Sequence, residues 1–157
     1  MESVRVADQA DVAELAALAR AAIEDLTPLR GGAVWRAAEA RQDPVEEGLL
    51  RLLAADGARV LLAMIDGVAL GYAVARVQGL ADGTRLGVVE DIYVVDGARG
   101  VGLGEAMMGD LIGWCTANGC FGMDAMALPG DRNTKNFFER AGFTARKLVM
   151  HHSLAAP

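Results

Sequence analysis

The 157-residue sequence is poor in the residues that build metal sites, disulfide frameworks and nucleic-acid interfaces. Its two cysteines, Cys115 and Cys120, have neither a CxxC spacing nor a cluster of histidines, so we expect buried free thiols rather than a disulfide or a metal site. The net charge of −6 argues against nucleic-acid binding, which needs a basic surface. No apolar run approaches the roughly 20 residues of a membrane span. The chain also opens without a cleavable apolar leader. These features predict a cytoplasmic protein without metal, nucleic-acid or membrane partners.

Apolar residues, in contrast, make up 53% of the sequence, and the length suits a single domain spanning residues 1–157. Periodicity and turn residues predict the order β-α-α-β-β-β-α-β-α-β, which is an α+β domain with an α/β/α arrangement of three layers and a mixed sheet. The predicted strands are Ser3 to Val6, Arg59 to Met64, Val68 to Val77, Arg85 to Val95, Phe121 to Leu128 and Phe143 to Leu154. The predicted helices run from Asp11 to Thr27, from about 33 to 55 with a break at Pro44, and from Asp131 or Asn133 to Gly142. A further helix is predicted after the glycine-bearing loop, with a buried stripe of Met107, Met108, Leu111, Ile112 and Cys115.

A glycine-bearing loop, Arg99-Gly100-Val101-Gly102-Leu103-Gly104, follows a strand and opens a helix. Unpaired backbone N–H groups and the positive helix end favour an anion there, most naturally phosphate. A P-loop would need a lysine after its last glycine, and a dinucleotide fingerprint would need a third glycine that the sequence lacks. The R-x-x-G-x-G loop for coenzyme A matches Arg99, Gly102 and Gly104. A glycine-rich turn that caps the helix without a ligand is the alternative.

Two blocks of sequence resemble the GNAT N-acetyltransferase superfamily. The first is Val89-Glu90-Asp91-Ile92-Tyr93-Val94 with the loop after it, and the second is Asn136-Phe137-Phe138-Glu139-Arg140-Ala141-Gly142-Phe143. The order of elements agrees along nearly the whole chain, whereas the similarity in detail covers about residues 86–143. The resemblance implies a GNAT-like acyl-CoA N-acyltransferase fold, whose largely antiparallel sheet has a splayed pair of strands.

The resemblance also implies an acetyl-CoA-dependent N-acetyltransferase. The pantetheine arm would pair with backbone groups of Ile92, Tyr93 and Val94 like an added strand, and the amides of residues 99–104 would hold the pyrophosphate. An amine would then attack the thioester directly.

Glu90 is the expected general base, because the attacking amine must lose a proton. It lies nine residues before Arg99, as the glutamate does in a diamine-acetyltransferase-like branch of the superfamily. The alternative is a strand-end carboxylate paired with a surface arginine. Asp91 would point to the opposite face of a regular strand, unless a bulge interrupts the alternation.

The second block departs from the family pattern at two positions. Phe138 stands where the family commonly has a tyrosine that protonates the departing thiolate, and phenylalanine has no proton to give. Asp131 stands where many members have a pantetheine-contacting asparagine, with Asn133 and Thr134 close behind. The resemblance places these four residues against the coenzyme, while either Asp131 or Asn133 can also cap the helix. Tyr93 would lie near the thioester.

The acceptor is expected to be a small-molecule amine or a protein amino group. The family shapes its acceptor pocket in the region from Glu24 to Glu47, where several carboxylates could attract a cation, although a solvated helix face explains them equally well. His151 and His152 fall in the predicted last strand, near the acceptor side. A homodimer is possible. The rival functions are a coenzyme-A-binding module with weak or no catalysis and a nucleotide-binding regulator.

Overall fold

Five strands form one sheet in the computed structural model, which describes residues 1–155. The strands are β1 (Glu2–Val6), β2 (Ala58–Ile65), β3 (Val68–Gly79), β4 (Arg85–Val94) and β5 (Cys120–Ala125). The helices are α1 (Val12–Leu26), α2 (Gly32–Ala38), α3 (Val45–Leu53), α4 (Leu103–Ala117) and α5 (Arg132–Arg140).

The strands lie in the order β1-β2-β3-β4-β5, and every pair is antiparallel except β4 with β5. The sheet is therefore mixed and largely antiparallel, as predicted. The hairpin between β2 and β3 turns at Asp66 and Gly67, whose φ angles are 48° and 81°. Two positive φ values in a two-residue turn match the twist of the flanking strands, which confirms the predicted hairpin.

Gly71 confirms a second local prediction, a close approach of backbone within β3. A Cβ atom at this position would lie 2.8 Å from the carbonyl oxygen of Tyr93 on β4. The register with β2 also shifts beside it, between Ala63 and Met64. A larger residue would push β3 away from β4, so glycine here keeps the two strands in contact.

Helices cover both faces of the sheet. One apolar cluster packs α1 and α3 on the first face through buried residues such as Leu15, Leu49 and Leu62. A second cluster packs α4 and α5 on the other face through Met107, Leu111 and Phe138. Because β2 and β3 alternate their side chains between the two clusters, the three predicted layers are confirmed.

The predicted last strand, residues 143–154, is wrong. After the turn at Gly142 (φ 96°) these residues adopt no strand, and no backbone hydrogen bond joins residues 144–154 to the sheet in the described part of the chain. The alternating apolar pattern predicted a strand, but a strand forms only against a neighbouring edge. Arg146 pairs with Asp124 of β5, while Leu148 beyond it is 83% exposed.

Two assignments of single side chains are also corrected. Ile112 is 38% exposed and does not belong to the buried stripe of α4, because that stripe has turned away from it toward Leu111 and Cys115. Asp11 precedes α1 as predicted, yet its side chain does not cap that helix. A short 3₁₀ turn places the carboxylate 2.7 Å from the guanidinium of Arg5 and 2.9 Å from the backbone N–H of Asp8. This pairing lowers the pKa of Asp11.

Candidate active site

A cleft opens where β4 and β5 separate. The two strands pair from Arg85 with Cys120 to Val89 with Ala125; β5 then ends while β4 continues to Val94. Asp91 to Val94 of β4 therefore pair with β3 on one side, and the stretch from Glu90 to Val94 has an unpaired edge on the other. The cleft has a volume of about 1230 Å³. The splayed strand pair that the sequence implied is present.

The glycine-bearing loop forms one end of this cleft. Gly100 and Gly102 have φ angles of 84° and 92°, and α4 begins directly afterwards at Leu103. The Leu103 side chain is buried, so only its backbone is available to a ligand. No heavy atom lies within 4 Å of the Cβ position at Gly102, whereas a Cβ at Gly104 would lie 3.1 Å from the Phe137 ring. Gly102 thus leaves open space, and Gly104 permits close packing of α4 against α5.

Arg99 braces the loop against the rest of the cleft. Its Nε donates a hydrogen bond to the carbonyl oxygen of Val94 at 2.8 Å, and its guanidinium lies 3.2 Å from Asp96 and 3.6 Å from Asp25. The same group stands 5.7 Å from the centroid of the Tyr93 ring. Two carboxylates therefore already face the guanidinium of Arg99, the first residue of the R-x-x-G-x-G loop.

Tyr93 joins β4 to α1 across the cleft. Its hydroxyl donates a hydrogen bond to Asp25 at 2.9 Å. Burial raises the pKa of Tyr93 to about 12, and the Asp25 carboxylate adds to the effect. The phenol consequently keeps its proton at neutral pH. The sequence offered Asp25 only as one of several carboxylates, and this contact gives it a specific place.

Glu90 occupies a bulge in β4. Val89 lies opposite Ala75 and Asp91 lies opposite Val74, so Glu90 is the extra residue between them. The bulge removes the regular alternation, and both Glu90 and Asp91 line the cleft, contrary to the expectation for a regular strand. The Glu90 carboxylate lies 3.6 Å from Nε of Arg76, and its side chain is 32% exposed. That distance is longer than a hydrogen bond.

Asp91 belongs to a network that the sequence did not reveal. Arg41, in the loop between α2 and α3, donates hydrogen bonds to both carboxylate oxygens of Asp91, one of them at 2.8 Å. The hydroxyl of Tyr72 donates to the same carboxylate at 2.5 Å. Burial, and then the Asp91 charge, raises the pKa of Tyr72 well above its usual value. Burial alone would lower the pKa of Arg41, but Asp91 outweighs it and the pKa is raised.

The first residues of α5 form the wall opposite β4. The Asp131 side chain accepts hydrogen bonds from the backbone N–H of Thr134 at 3.2 Å and from its hydroxyl at 2.6 Å. Asp131 is therefore the cap, and Asn133 is exposed beside it. Phe138 is buried, with its ring centroid 5.7 Å from that of Phe137 and 5.5 Å from that of Phe143.

The cleft thus brings together most residues that the sequence proposed. Val101 and Gly102 lie in the loop beside the lining residues, and His151 and His152 are exposed outside the cleft, so their predicted place on the acceptor side is wrong. The proposed residues that line it are Glu90, Ile92, Tyr93, Val94, Arg99, Gly100, Leu103, Gly104, Asp131, Asn133, Thr134 and Phe138.

Residues 1–155 contain no group of three or more His, Cys, Asp or Glu side chains placed to hold a metal ion. None of the helices in this range combines the length and hydropathy needed to cross a membrane.

Comparison with known proteins identifies the family of this chain. A search of curated protein sequences gives no match. The structure is similar to the aminoglycoside N-acetyltransferase AAC(6')-Iy, solved with a bisubstrate analogue of coenzyme A, at a TM-score of 0.76, 20% identity and 99% coverage of both chains. It is also similar to the BH1408 protein of Bacillus halodurans, with a TM-score of 0.82, 19% identity, and 97% and 99% coverage. A third similar structure is the ribosomal-protein-alanine N-acetyltransferase of Brucella melitensis biovar Abortus 2308, with a TM-score of 0.71, 19% identity, and 98% and 99% coverage.

These structures share the fold of the chain, whereas its family membership follows from the sequence. The model of the acetyltransferase (GNAT) family matches residues 18–143, which include the splayed strand, the glycine-bearing loop and α5. The chain therefore belongs to the GNAT acetyltransferase family and is an N-acetyltransferase that takes its acetyl group from acetyl-CoA.

Proposed function

We propose that this enzyme acetylates a small cationic primary amine by direct attack on the thioester, with Glu90 as the general base. The observation that carries the proposal is the unpaired edge of β4 from Glu90 to Val94, which leads to the loop at residues 99–104. A strand edge satisfies an amide-bearing chain such as pantetheine, and the start of a helix satisfies a pyrophosphate. The cleft offers both in one line, with Glu90 at the point where the strands part.

In this arrangement the coenzyme lies between β4 and α5. Backbone groups of Ile92, Tyr93 and Val94 pair with the pantetheine arm, and the amides of residues 99–104 hold the pyrophosphate. Asp131, Asn133, Thr134 and Phe138 form the opposite wall. The buried ring of Phe138 offers this wall an apolar contact and no proton.

The reaction then needs one proton to leave the amine and one to reach the thiolate. An alkylammonium has a pKa of about 10.4, so at neutral pH a nearby carboxylate must accept its proton before or during attack. Glu90 takes that proton, directly or through a water molecule, as the carbon–nitrogen bond forms and the carbon–sulfur bond breaks. Strand N–H groups polarise the carbonyl oxygen as charge develops on it. The proton returns from Glu90 or from water to the thiolate, because Phe138 cannot supply one.

Carboxylates that line the cleft favour a cationic acceptor. Arg20 pairs with Glu46 and Asp43, and these two carboxylates lie outside the cleft. Glu24 and Glu39 line the cleft, and no salt bridge to either is found within residues 1–155. Diamines and aminoglycosides carry several ammonium groups, and AAC(6')-Iy is named for acting on the latter. The ribosomal-protein-alanine enzyme instead makes a protein amino group the second candidate.

A panel of amines tests this function. We expect small di- and polycationic amines to release free thiol from acetyl-CoA in step with acetylated product, and monoamines of equal length to do so less efficiently, because the carboxylates recognise the additional charge. The measurement is thiol release together with mass analysis of the product.

Two outcomes would contradict the proposal. Tight binding of acetyl-CoA without turnover of any amine would support the coenzyme-A-binding module. Stabilisation by ATP or NAD in a thermal-shift assay, without stabilisation by coenzyme A, would support the nucleotide-binding regulator.

We also propose that residues 1–157 form a single domain and that the protein is cytoplasmic. The single domain is supported by the one sheet that both apolar clusters share; Ala156 and Pro157 lie outside the described residues. The location is supported by Cys115 and Cys120, which are free thiols of a kind that persists in reducing compartments.

A homodimer is proposed as well, formed through the apolar segment of residues 146–154. Leu148, Val149 and Met150 are each more than 80% exposed, and β5 beside them ends the sheet with an unpaired outer edge. Each chain thus carries both an unpaired apolar segment and an open strand edge. Two copies related by a two-fold axis can satisfy both at once, which makes a second copy the fitting partner.

Light scattering after size exclusion tests the dimer. We expect a mass of two chains for the wild type and of one chain for Leu148→Asp with Met150→Asp, because the charges oppose burial of the segment. Val68→Asp is the matched control, since Val68 is 58% exposed at the start of β3 and far from β5. It should remain dimeric. A wild type that stays monomeric at all concentrations would rule the dimer out.

A further inference from the structure

The buried network of Arg41, Asp91 and Tyr72 has a place beside the proposed base. The side chains of Arg41 and Asp91 are 17% and 14% exposed, and Tyr72 is 2% exposed. All three line the cleft, and Asp91 directly follows Glu90 on β4. Burying an ion pair contributes little net stability, because desolvation offsets the attraction between the charges. A pair held at this depth on the wall of a cleft therefore calls for a role other than packing.

We infer that Asp91 and Tyr72 are positioning residues: they hold Arg41 so that the loop of residues 39–44 stays on the sheet and the guanidinium stays away from Glu90. This inference rests on the proposed function of Glu90. It assigns residues that bind neither substrate the role of fixing the loop and the guanidinium on the acceptor side of the site.

The first half of the inference concerns the loop. Within the loop, the Gln42 side chain donates hydrogen bonds to the carbonyl oxygens of Ala40 and Arg36, and Arg20 of α1 reaches Asp43. Within residues 1–155, the only side-chain hydrogen bonds between this loop and the sheet are those from Arg41 to Asp91. Trp35, Glu39 and Ala40, which line the cleft next to Arg41, depend on that link for their position.

The second half concerns charge. Glu90 adjoins Asp91 in the bulge of β4, and its charge contributes to raising the pKa of Arg41, so the guanidinium and the Glu90 carboxylate act on each other. Asp91 binds the guanidinium with two oxygens, a geometry that Glu90 could offer equally well. Without Asp91, the flexible side chain of Arg41 would pair with Glu90. The lone pairs that Glu90 needs for the amine proton would then be engaged.

Tyr72 fixes the carboxylate itself. Its hydroxyl donates to Oδ2 of Asp91, the oxygen that also accepts from Nε of Arg41. The buried hydroxyl has no other partner among the hydrogen bonds of residues 1–155. Tyr72→Phe should therefore loosen the same link without removing either charge.

The test compares Asp91→Asn with the double variant Asp91→Asn/Arg41→Met. We expect Asp91→Asn to lower kcat/KM for the acceptor by about 100-fold, because a displacement of about 1 Å in a site can cost that much. The dissociation constant of acetyl-CoA should stay within about 2-fold, since the coenzyme wall is untouched. The double variant should recover about 10-fold in kcat relative to Asp91→Asn, because the free cation is gone, while KM stays high.

A matched pair elsewhere controls for stability. Arg59 and Asp110 form a similar two-pronged pair between β2 and α4, at 2.8 and 3.0 Å, outside the cleft. Asp110→Asn should lower thermal stability and leave kcat and KM for the acceptor unchanged. A double variant Asp91→Asn/Arg41→Met that is as slow as Asp91→Asn, or slower, would overturn the shielding of Glu90, because the guanidinium proposed to compete for Glu90 is then absent without any gain in rate.

Hydrogen exchange keeps this inference separate from the proposed function. We expect backbone amides of residues 39–42 to exchange at least about 10-fold faster in Asp91→Asn than in the wild type, because their link to the sheet is lost. Unchanged exchange would overturn the link even if amines are acetylated. Faster exchange in an enzyme that turns over no amine would support the link and reject the function proposed for Glu90. If Asp91→Asn does not fold, Tyr72→Phe answers the same question with a smaller change of the same sign.

Discussion

Gly102→Trp is expected to abolish measurable binding of acetyl-CoA while leaving the fold intact. The Cβ position of Gly102 has open space around it, and its loop neighbours Gly100 and Leu103 line the cleft, so we expect an indole there to occupy volume that the pyrophosphate needs. Loss of the charge-assisted hydrogen bonds to the loop amides, each worth about 1.5–3 kcal/mol, should raise the dissociation constant by at least about 100-fold. Calorimetric titration with acetyl-CoA measures the effect.

Backbone strain at Gly102 requires its own control. Its φ of 92° is costly for any residue with a side chain, by about 1–2 kcal/mol. Gly83 has a φ of 86° and equally open surroundings, but it lies in the turn between β3 and β4, away from the cleft. Gly83→Trp should therefore lose similar stability and keep normal affinity. Equal affinity in both variants would remove the loop from the proposed coenzyme site.

The parts of the fold that the sequence predicts best are those that local chemistry decides. Asp66 and Gly67 adopt positive φ readily, so the hairpin between β2 and β3 follows from two residues. The glycines at 100 and 102 likewise specify the turn that opens α4. Both features need no knowledge of distant contacts, which is why the order of the elements from β1 to α5 could be predicted.

Features that depend on residues distant in the chain could not be predicted from the sequence. Residues 143–154 have the composition of a strand, but in the described part of the chain residues 144–154 form no backbone hydrogen bond with the sheet. No glycine at the Glu90 bulge predicts it from the sequence, and the bulge arises from the register of β3 against β4. Arg41 and Tyr72 are far from Asp91 in the sequence, and nothing in their neighbours predicts that they meet.

The candidate site likewise has one part that the sequence predicts and another that it does not. The family resemblance identified the strand, the loop and α5, because these segments carry their own motifs. The acceptor side has no motif of this kind, and Asp25 and Arg41 gain their places only through contacts with Tyr93 and Asp91. Coenzyme binding could thus be inferred from the sequence, while the geometry around Glu90 needed the structure.

Glu90→Gln is expected to lower kcat for the amine by about 10²–10⁴-fold, the usual contribution of a positioned general base. The amide keeps the shape of the side chain and cannot accept the amine proton. Affinity for acetyl-CoA should be unchanged, so the loss should appear in kcat at saturating coenzyme. Steady-state kinetics of thiol release, measured across a range of pH, provide the test.

The sign of the pH effect follows from the amine. The wild type can bind the ammonium form and pass its proton to Glu90, so its rate levels off well below the pKa of the amine. Glu90→Gln can use only amine that is already neutral, and that fraction rises about tenfold per pH unit up to about pH 10.4. The variant's kcat/KM should therefore climb steeply through the alkaline range, and the deficit against the wild type should shrink as pH rises.

Arg76 separates this role from simple ion pairing. The alternative for Glu90 is a carboxylate that only faces a surface arginine, and Arg76, with its side chain 58% exposed, is that arginine. If pairing were its whole function, Arg76→Met would reproduce the loss seen in Glu90→Gln. We expect Arg76→Met to retain the rate and the pH profile of the wild type, because the 3.6 Å contact lies outside hydrogen-bonding range. An unaltered pH–rate profile in Glu90→Gln would exclude Glu90 as the base and leave the proton to water.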